Sequence, residues 1–537
     1  MKLIQKFTLV GFLLVHLGST PFLIAQSTPQ AGVDVIHYRF DIHLSDTSNQ
    51  IQSLAALTVN FKRPINRFVV DLTAQKPDGL SGMTVTSVYS AHSSLSFTQR
   101  NDHLMINLPD TIKYPFKTLF TIRYHGIPDD GLIISTNKFG QRTFFGDNWP
   151  DRAHHWLACI DHPSDKATVE FQVTAPSHYK VVSNGQLIGL YSNKEGFQTT
   201  CWKETVPLPT KVMVIGVADF AVQNAGSSDG IPVQTWVYNK NYREGFTDYA
   251  PAVQIMDYYQ QLLGPYAYEK LANVQAKTIY GGMENSSCIF YNERSVNGKN
   301  QQIGLLAHEI AHQWFGDAVT EKEWAHIWLS EGFATYIETC YSTYHKGEKL
   351  LASRMARARS RVISYYHHTQ KPVIDTTETH LMRLLNTNSY QKGAWVLHML
   401  RNQLGDETFW NGIRRYYAEY KNKNALTGDL QRVMEEVSHR DLSRFFYQWL
   451  EIPGHPQLKI DWSYNKSDKQ LDVTVHQTQT HYIFSFPLEL KITGKDGRSS
   501  RIVTIEINSA ETTHSFSFNS KPLMLEADPR TVLLFEQ

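Results

Sequence analysis

The sequence has little cysteine, no excess of charge of either sign, and no repeat or low-complexity tract. Its four cysteines are widely spaced and form no Cys-x-x-Cys pair, so they are either disulfide partners in an exported protein or buried free thiols. The 52 basic and 51 acidic residues leave a net charge of +1, which argues against a nucleic-acid partner. The composition, 42% hydrophobic in 537 residues, is that of a globular protein with several domains.

Long apolar runs are also missing, except near the start of the chain. Lys2 and Lys6 precede the run FTLVGFLLV, and the small residue Ala25 follows it. This order predicts a secretory signal peptide over residues 1–26, and therefore an exported protein, periplasmic or extracellular. An uncleaved membrane anchor is the alternative, but the run is shorter than the about 20 apolar residues that span a bilayer. After removal of the signal we expect no integral membrane segment.

The spacing of apolar residues changes twice along the chain. Strand-like alternation, as in HYRFDIHLS, dominates to about residue 222, helical spacing follows, and strand patterns return after the break EIPGHP. We therefore expect a multidomain α+β protein. Its parts are a β-rich domain over 27–228, a mainly helical domain over 229–450 and a second β-rich domain over 451–537.

The stretch AHEIAHQWFGD, from Ala307 to Asp317, places two histidines four residues apart on a predicted helix. His308 and His312 would project from one side of that helix, so both imidazoles could reach one metal ion. Glu309 is rotated by about 100° and is poorly placed as an equal ligand, yet near enough to act on an attacking water. The alternative is a core helix that carries this H-E-x-x-H pattern by chance, since the chain has 23 histidines.

A third ligand would separate these interpretations, because hydrolytic zinc sites have three protein ligands. Glu331 follows in WLSEGFATYIE, with Ser330 as the predicted N-cap of a helix. Two histidines and one glutamate leave Zn²⁺ with a net positive charge that suits the activation of water. We therefore predict one Zn²⁺ per chain, held by His308, His312 and Glu331.

The segments HEIAHQWFGD and WLSEGFATY, with GGMEN upstream, resemble the aminopeptidase N family of zinc gluzincins, which includes the leukotriene-hydrolysing enzyme. The resemblance implies an N-terminal β saddle, a thermolysin-like, mainly helical catalytic domain and a C-terminal β-sandwich. The large helical domain that some members add at the C-terminus is not expected here.

The resemblance also implies roles for residues outside the metal site. Glu284 would hold the free α-ammonium of a peptide, and Tyr390, in YQKGAWVLHML, would stabilise the oxyanion. The glycines of GGMEN would contact the peptide backbone, and Met283 would help to line the first side-chain pocket. The whole substrate-binding segment is expected to comprise Gly281, Gly282, Met283, Glu284 and Asn285.

The sequence leaves two assignments undecided, the second ammonium clamp and the role of Glu338. The family has a second clamp for the substrate ammonium, usually Gln or Glu, and the corresponding position here is Trp149. Asp147 or Asn148 would take its place if the alignment shifts. Glu338 is either a hydrogen-bond partner of a ligating histidine or a solvated acid on a helix.

These patterns together predict a zinc-dependent aminopeptidase that acts on peptides with a free N-terminus. Glu309 is the predicted general base and Tyr390 the predicted oxyanion donor. A related zinc endopeptidase or an epoxide hydrolase is one alternative. A secreted binding protein that has lost catalysis is the other, although the ligands and the base are all present.

Overall fold

The computed structural model describes residues 29–91, 93–109, 114–193, 195–344 and 346–537. The predicted signal peptide, residues 1–26, lies outside the described residues. Within the part that is described, no helix is long and apolar enough to cross a membrane.

The N-terminal part of the chain is built from strands, as its alternating pattern predicts. Strands such as β2 and β11 below bury every second residue, because successive side chains point to opposite faces of a sheet. In chain order the strands are β1 (Val33–His43), β2 (Ile51–Phe61), β3 (Arg67–Asp71), β4 (Gly82–Ser90), β5 (Ser93–Ser94), β6 (Phe97–Arg100), β7 (His103–Asn107), β8 (Phe116–Ile127), β9 (Leu132–Thr136), β10 (Arg142–Gly146), β11 (Lys166–Pro176), β12 (Lys180–Ser183), β13 (Gln186–Ser192), β14 (Phe197–Pro209) and β15 (Ile215–Ala218).

These strands form three sheets. The largest has the order β13-β14-β11-β1-β2-β8-β4-β5, and the other two have the orders β12-β15-β10-β9 and β3-β7-β6. In the largest sheet only β1 and β11 pair in parallel. The resulting N-terminal part is β-rich throughout.

The central part contains the helices. They are α1 (Tyr242–Tyr249), α2 (Ala252–Leu263), α3 (Ile303–His312), α4 (Trp328–Tyr344), α5 (Glu348–Tyr366), α6 (Gly393–Leu404), α7 (Asp406–Tyr420), α8 (Thr427–Ser438) and α9 (Ser443–Phe446), with π-helical turns at Asn388–Lys392 and Tyr447–Glu451. The strands of this part are β16 (Phe220–Ser228), β17 (Ile231–Tyr238), β18 (Leu271–Ala276), β19 (Gly282–Met283), β20 (Cys288–Asn292), β21 (Val319–Glu321) and β22 (Lys423–Ala425).

A five-stranded sheet of order β16-β17-β18-β20-β19 supports one side of the site described below. Its central strand β18 is buried at every position and pairs in parallel with both neighbours, as is typical of strands covered on both faces. Because β16 pairs with β17, the predicted boundary at 228/229 falls in the turn between these two strands.

The C-terminal part returns to strands, as predicted. Two three-stranded sheets have the orders β23-β24-β27 and β26-β25-β28. These strands are β23 (Leu458–Asn465), β24 (Gln470–Gln477), β25 (Phe486–Thr493), β26 (Ser500–Ile507), β27 (Glu511–Ser517) and β28 (Met524–Ala527). The predicted order of a β-rich, a helical and a second β-rich part is confirmed.

One detail of the fold differs from the predicted pattern, and another decides between the two predictions for the cysteines. The helical pattern before residue 450 is interrupted at His439, which adopts a left-handed conformation with φ of 54° and ends α8. The cysteines are buried free thiols and form no disulfide; they are Cys159, Cys201, Cys288 and Cys340.

Candidate active site

The three predicted metal ligands come together between two packed helices. His308 and His312 lie one turn apart on α3, and Glu331 lies in the first turn of α4. The Nε2 atoms of the two histidines are 3.2 Å apart. Oε2 of Glu331 lies 3.5 Å from Nε2 of His308 and 3.4 Å from Nε2 of His312. The three ligand atoms therefore converge on one point.

The three residues fit a zinc ion. A tetrahedral zinc with bonds of about 2.0–2.1 Å has ligand atoms about 3.4 Å apart, and the observed separations match that value. Two imidazoles and one carboxylate are also a donor set that zinc prefers in hydrolytic sites. Oε2 of Glu331 is buried with no hydrogen-bond partner, which is costly for a carboxylate unless a cation satisfies it.

Ser330 orients one ligand and is not an N-cap. The helix begins two residues earlier, at Trp328, because the amide of Ser330 already donates to the carbonyl of Ile327. The Oγ of Ser330 lies 3.0 Å from Nδ1 of His312, and the carbonyl of Phe315 lies 3.2 Å from the same nitrogen. These contacts leave Nε2 of His312 free for a metal and fix the orientation of the ring.

Glu309 lies on the side of α3 that faces β19. Its Oε1 is so close to the backbone of Gly282 that a Cβ built there would come within 2.3 Å. Burial raises the pKa of Glu309 to about 7, and the attraction of His308 and His312 only partly opposes this shift. A carboxyl group with a pKa near neutrality can both accept a proton and return it.

The segment GGMEN forms the outer strand of the five-stranded sheet. Gly282 pairs with Tyr291 and Met283 with Phe290 of β20, and no strand pairs with the other edge of β19 among the described residues. Such an edge can hydrogen-bond an extended peptide. Gly281, directly before this strand, is exposed.

Glu284 follows β19 and enters the site. Its side chain is buried, and Oε1 has no hydrogen-bond partner. Polar atoms of Glu284, Glu309 and His312 lie within 4.8 Å of one another. Asn285 is fully buried behind it and does not line the chamber in front of the ligands.

Tyr390 packs against the candidate ligands from a separate segment of the chain. It lies on the π-helical turn Asn388–Lys392, and its ring stacks on His308 with centroids 6.0 Å apart. Burial raises the pKa of Tyr390 well above its usual value, and the nearby carboxylates of Glu331, Glu284 and Glu309 add to the shift. The hydroxyl therefore stays protonated and can donate a hydrogen bond.

All three candidate ligands line a narrow chamber, and His308 also borders a wider cleft. The chamber contains Glu284 and is walled by large side chains; these are Trp149, Tyr280, Met283 and Leu385. The cleft has a volume of about 640 Å³ and is bordered by α3, α4 and α5. His308, Glu309 and Tyr390 line both spaces, so the two adjoin at these residues.

The second ammonium clamp is not supplied by either candidate. Asp147 is fully buried and accepts hydrogen bonds from Arg152, from the Thr278 hydroxyl and from the amide of Ile279. Asn148 is equally buried and donates to two backbone carbonyls while accepting from Trp156.

Trp149, the next residue, faces the chamber instead. It packs edge-to-face on Tyr280 and Trp324, with ring centroids 6.2 and 5.7 Å away. An indole ring therefore stands where the resemblance led us to expect a carboxylate or an amide. Both alternatives at Asp147 and Asn148 are wrong, because those side chains are already saturated with partners in the interior.

Glu338 fits neither of its two interpretations, because it is not a partner of a ligating histidine and its side chain is only 15% exposed. Its carboxylate pairs with Arg354 at 2.5 Å and accepts from the Ser342 hydroxyl, and it contacts neither ligating histidine. Sequence reasoning did not identify Ser330, Tyr280 or Leu385 as site residues. Only Ser330 had a local signal, its position directly before a ligand.

Comparisons with known proteins identify the family of the chain. Residues 35–212 match the peptidase M1 N-terminal domain, and residues 248–449 match the peptidase family M1 domain. Together they cover more than half of the chain. Glutamyl aminopeptidase of Bitis rhinoceros is 28% identical over 379 residues, which are 66% of this chain and 39% of that protein. The chain thus spans less than half of the length of the curated relatives it matches.

Two solved structures share the fold. Legionella pneumophila aminopeptidase A, in complex with aspartic acid, has a TM-score of 0.81 at 17% identity, over 95% of this chain and 60% of that one. An M1 zinc metallopeptidase of Deinococcus radiodurans, bound to a Tyr-Ser-Ala substrate, has a TM-score of 0.69 at 22% identity. That match covers 79% of this chain and 95% of the other.

Proposed function

The chain belongs to peptidase family M1, and we propose on that basis that it is a zinc-dependent aminopeptidase for peptides with a free N-terminus. One observation carries the proposal. A buried carboxylate whose Oε1 has no partner, Glu284, shares a narrow chamber with the three candidate metal ligands and with Glu309. A metal site, a base and an ammonium receptor therefore lie within reach of one peptide end.

His308, His312 and Glu331 would hold the ion. A bound Zn²⁺ supplies Lewis-acid chemistry, because it polarises the scissile carbonyl and lowers the pKa of the attacking water. Glu309 accepts the proton of that water and returns it to the leaving nitrogen. The close contact with the backbone of Gly282 holds the Glu309 carboxylate in position for both transfers.

Tyr390 stabilises the charge that develops on the carbonyl oxygen. Its hydroxyl is protonated, its ring stacks on His308, and the residue lines the same chamber as the three candidate ligands. A donor fixed in this way costs little reorganisation during the reaction. The free edge of β19 binds and orients the peptide backbone while this happens.

Glu284 selects the N-terminus. Its Oε1 has no hydrogen-bond partner, and a peptide α-ammonium would satisfy it. A blocked or internal peptide leaves the buried carboxylate unpaired, which is the costly state. This contact favours an aminopeptidase over an endopeptidase or an epoxide hydrolase, neither of which requires an ammonium receptor. The complete ligand set argues against a binding protein without catalysis.

The test compares free and N-acetylated peptides. We expect wild-type protein to release the first residue of Ala-Ala-Ala, to leave the acetylated peptide intact, and to lose activity with a zinc chelator. Glu284→Gln should lower kcat/KM on the free peptide by about tenfold or more, since a charged hydrogen bond is lost. The exposed Glu323→Gln serves as the matched control. Equal turnover of free and acetylated peptides would refute the aminopeptidase assignment.

Export is part of the proposal. Lys2, Lys6 and the following apolar run support a signal peptide over 1–26, so that the protein acts in the periplasm or outside the cell. Mass spectrometry of the protein from its native host should show a new N-terminus near Ala25–Ser27. An intact N-terminus on mature protein would contradict this.

A further inference from the structure

The wide cleft beyond the metal ligands has an unusual charge distribution. The chamber that the candidate ligands line is acidic, with Glu284, Glu309 and Glu331. The adjoining cleft is bordered by three arginines of α5, which are Arg354, Arg357 and Arg361. The two ends of the site therefore carry opposite charges.

Two of these arginines have no partner among the described residues. Arg354 pairs with Glu338, the only acid besides Glu309 in the described lining of the cleft. Arg357 and Arg361 are exposed, and neither makes an ion pair or a side-chain hydrogen bond with any described residue. They lie four residues apart, so both guanidinium groups project from the same side of α5.

The scaffold directs these side chains to the cleft. Met355 and Val362 bury the opposite flank of α5, and Ala358 packs partly against the core. The helix packs against α4 and against the π-helical turn that carries Tyr390. Arg357 and Arg361 thus border the same open space as Tyr390 and His308.

The course of β19 shows which part of a peptide enters the cleft. Gly281 borders only the cleft, Gly282 borders both spaces, and Glu284 borders only the chamber. A peptide that pairs with this strand and places its ammonium at Glu284 must extend past Gly281. The part of the peptide that leaves after cleavage therefore lies in the cleft, towards α5.

We propose that Arg357 and Arg361 form a carboxylate-binding subsite, which holds the C-terminal carboxylate of a short peptide whose N-terminus is bound by Glu284. This proposal rests on the proposed aminopeptidase function and names its substrate class, short oligopeptides with a free C-terminal carboxylate. Guanidinium groups bind carboxylates through paired N–H donors, so the two arginines suit this anion. An acidic side chain in the part of the peptide that leaves would bind the two arginines in the same way. The test distinguishes this case from binding of the C-terminal carboxylate.

The test measures kcat and KM for Ala-Ala-Ala and for its C-terminal amide. Wild-type protein should favour the free carboxylate by about three- to tenfold, through KM, because exposed charge pairs are individually weak. Arg357→Gln/Arg361→Gln should abolish this preference without changing kcat on the amide. Arg357→Glu/Arg361→Glu should reverse it. The preference should fade as the peptide is lengthened and its carboxylate passes beyond α5.

A matched control removes two charges outside the cleft. Lys346 and Lys349 are exposed near the start of α5 and do not border the cleft, so Lys346→Gln/Lys349→Gln should keep the preference. If this control loses the preference as fully as the arginine variant, the effect is one of overall charge and the subsite is refuted. Equal KM values for acid and amide in wild-type protein would also refute it.

Two further experiments distinguish the remaining explanations of the preference. A wild-type preference for Ala-Asp-Ala-amide over Ala-Asn-Ala-amide, with none for the free C-terminus, would assign the arginines to acidic side chains and overturn the proposal as stated. Calorimetry of Ala-Ala-Ala and its amide on Glu309→Gln tests the subsite without turnover. Tighter binding of Ala-Ala-Ala than of its amide to Glu309→Gln supports the subsite. If wild-type protein hydrolyses no peptide, the proposed function is refuted while the subsite stands.

Discussion

Oε1 of Glu309 lies where a side chain at Gly282 would begin, since a Cβ built on that glycine would come within 2.3 Å of it. The predicted base is therefore held against the backbone of the strand that is proposed to bind the peptide. This contact explains why the segment has glycine at this position, and it links substrate binding to the orientation of the base.

Gly282→Ala should displace the Glu309 carboxylate. We expect kcat to fall by about 10²-fold, because small misplacements of a catalytic group have effects of this size. Zinc content and thermal stability should change little. Gly281→Ala is the control, since a Cβ there meets only Cδ1 of Leu305 at 3.8 Å. Similar kcat values for the two variants would contradict the positioning role of Gly282.

Glu309→Gln should keep zinc and lose activity. An amide has the shape of the carboxylate but cannot accept the proton of water, so kcat should fall by about 10²–10⁴-fold. Zinc content by atomic spectroscopy and turnover of Ala-Ala-Ala provide the measurements. Glu338→Gln removes a carboxylate that pairs with Arg354 and contacts neither candidate histidine ligand, so its turnover should stay near that of wild type. Near wild-type turnover in Glu309→Gln would rule out the base.

Ser330→Ala should weaken zinc binding. The hydroxyl of Ser330 lies 3.0 Å from Nδ1 of His312 and helps to fix the ring. Loss of such a contact typically lowers metal affinity by about tenfold or more. Competition with a fluorescent zinc chelator measures the affinity. Ser342→Ala, which removes a hydroxyl from the same helix away from the ligands, should leave it unchanged.

The sequence contained enough to predict the order of the β-rich and helical parts and the three candidate metal ligands that the structure brings together. Apolar periodicity distinguishes strands from helices, and the spacing of His308, His312 and Glu331 is local to two helices. The resemblance located Glu284 and Tyr390, which no periodic pattern would indicate. Their convergence depends on how β19, α3 and the π-helical turn pack, which is a tertiary property.

Errors arose where long-range packing decides the environment of a side chain. Asp147 and Asn148 were candidates for an ammonium clamp, but their partners come from distant segments that fold over them. Ser330 was assigned as an N-cap from its residue type, whereas the helix starts earlier and its hydroxyl reaches a neighbouring helix. Residue type and spacing do not encode such contacts.

Tyr390→Phe should lower kcat and retain the fold. Removal of one donor to a developing oxyanion typically costs about 10²–10³ in kcat. Zinc content and KM should change much less, because the hydroxyl acts mainly in the transition state. Tyr280→Phe is the control, since Tyr280 also lines the chamber but its hydroxyl donates to the carbonyl of Trp149. An unchanged kcat in Tyr390→Phe would refute the oxyanion role.

The pair of His154 and Asp161 predicts a pH dependence of stability away from the metal site. Nδ1 of His154 lies 2.8 Å from Oδ2 of Asp161, and the backbone amide of His154 donates to the same oxygen. Burial lowers the pKa of His154, but the hydrogen bond and the charge of Asp161 outweigh it and raise the pKa to about 9. In the unfolded chain the pKa of histidine is about 6.5.

The folded protein therefore binds this proton more tightly than the unfolded chain. The resulting stability is fully present below about pH 6.5 and is lost as the pH rises through about 9. We expect the excess unfolding free energy of wild type over His154→Gln to be larger at pH 6 than at pH 9.5, by on the order of 2–3 kcal/mol. Urea unfolding of both proteins across this range measures it. An excess that does not change with pH would show that His154 is uncharged in the folded protein.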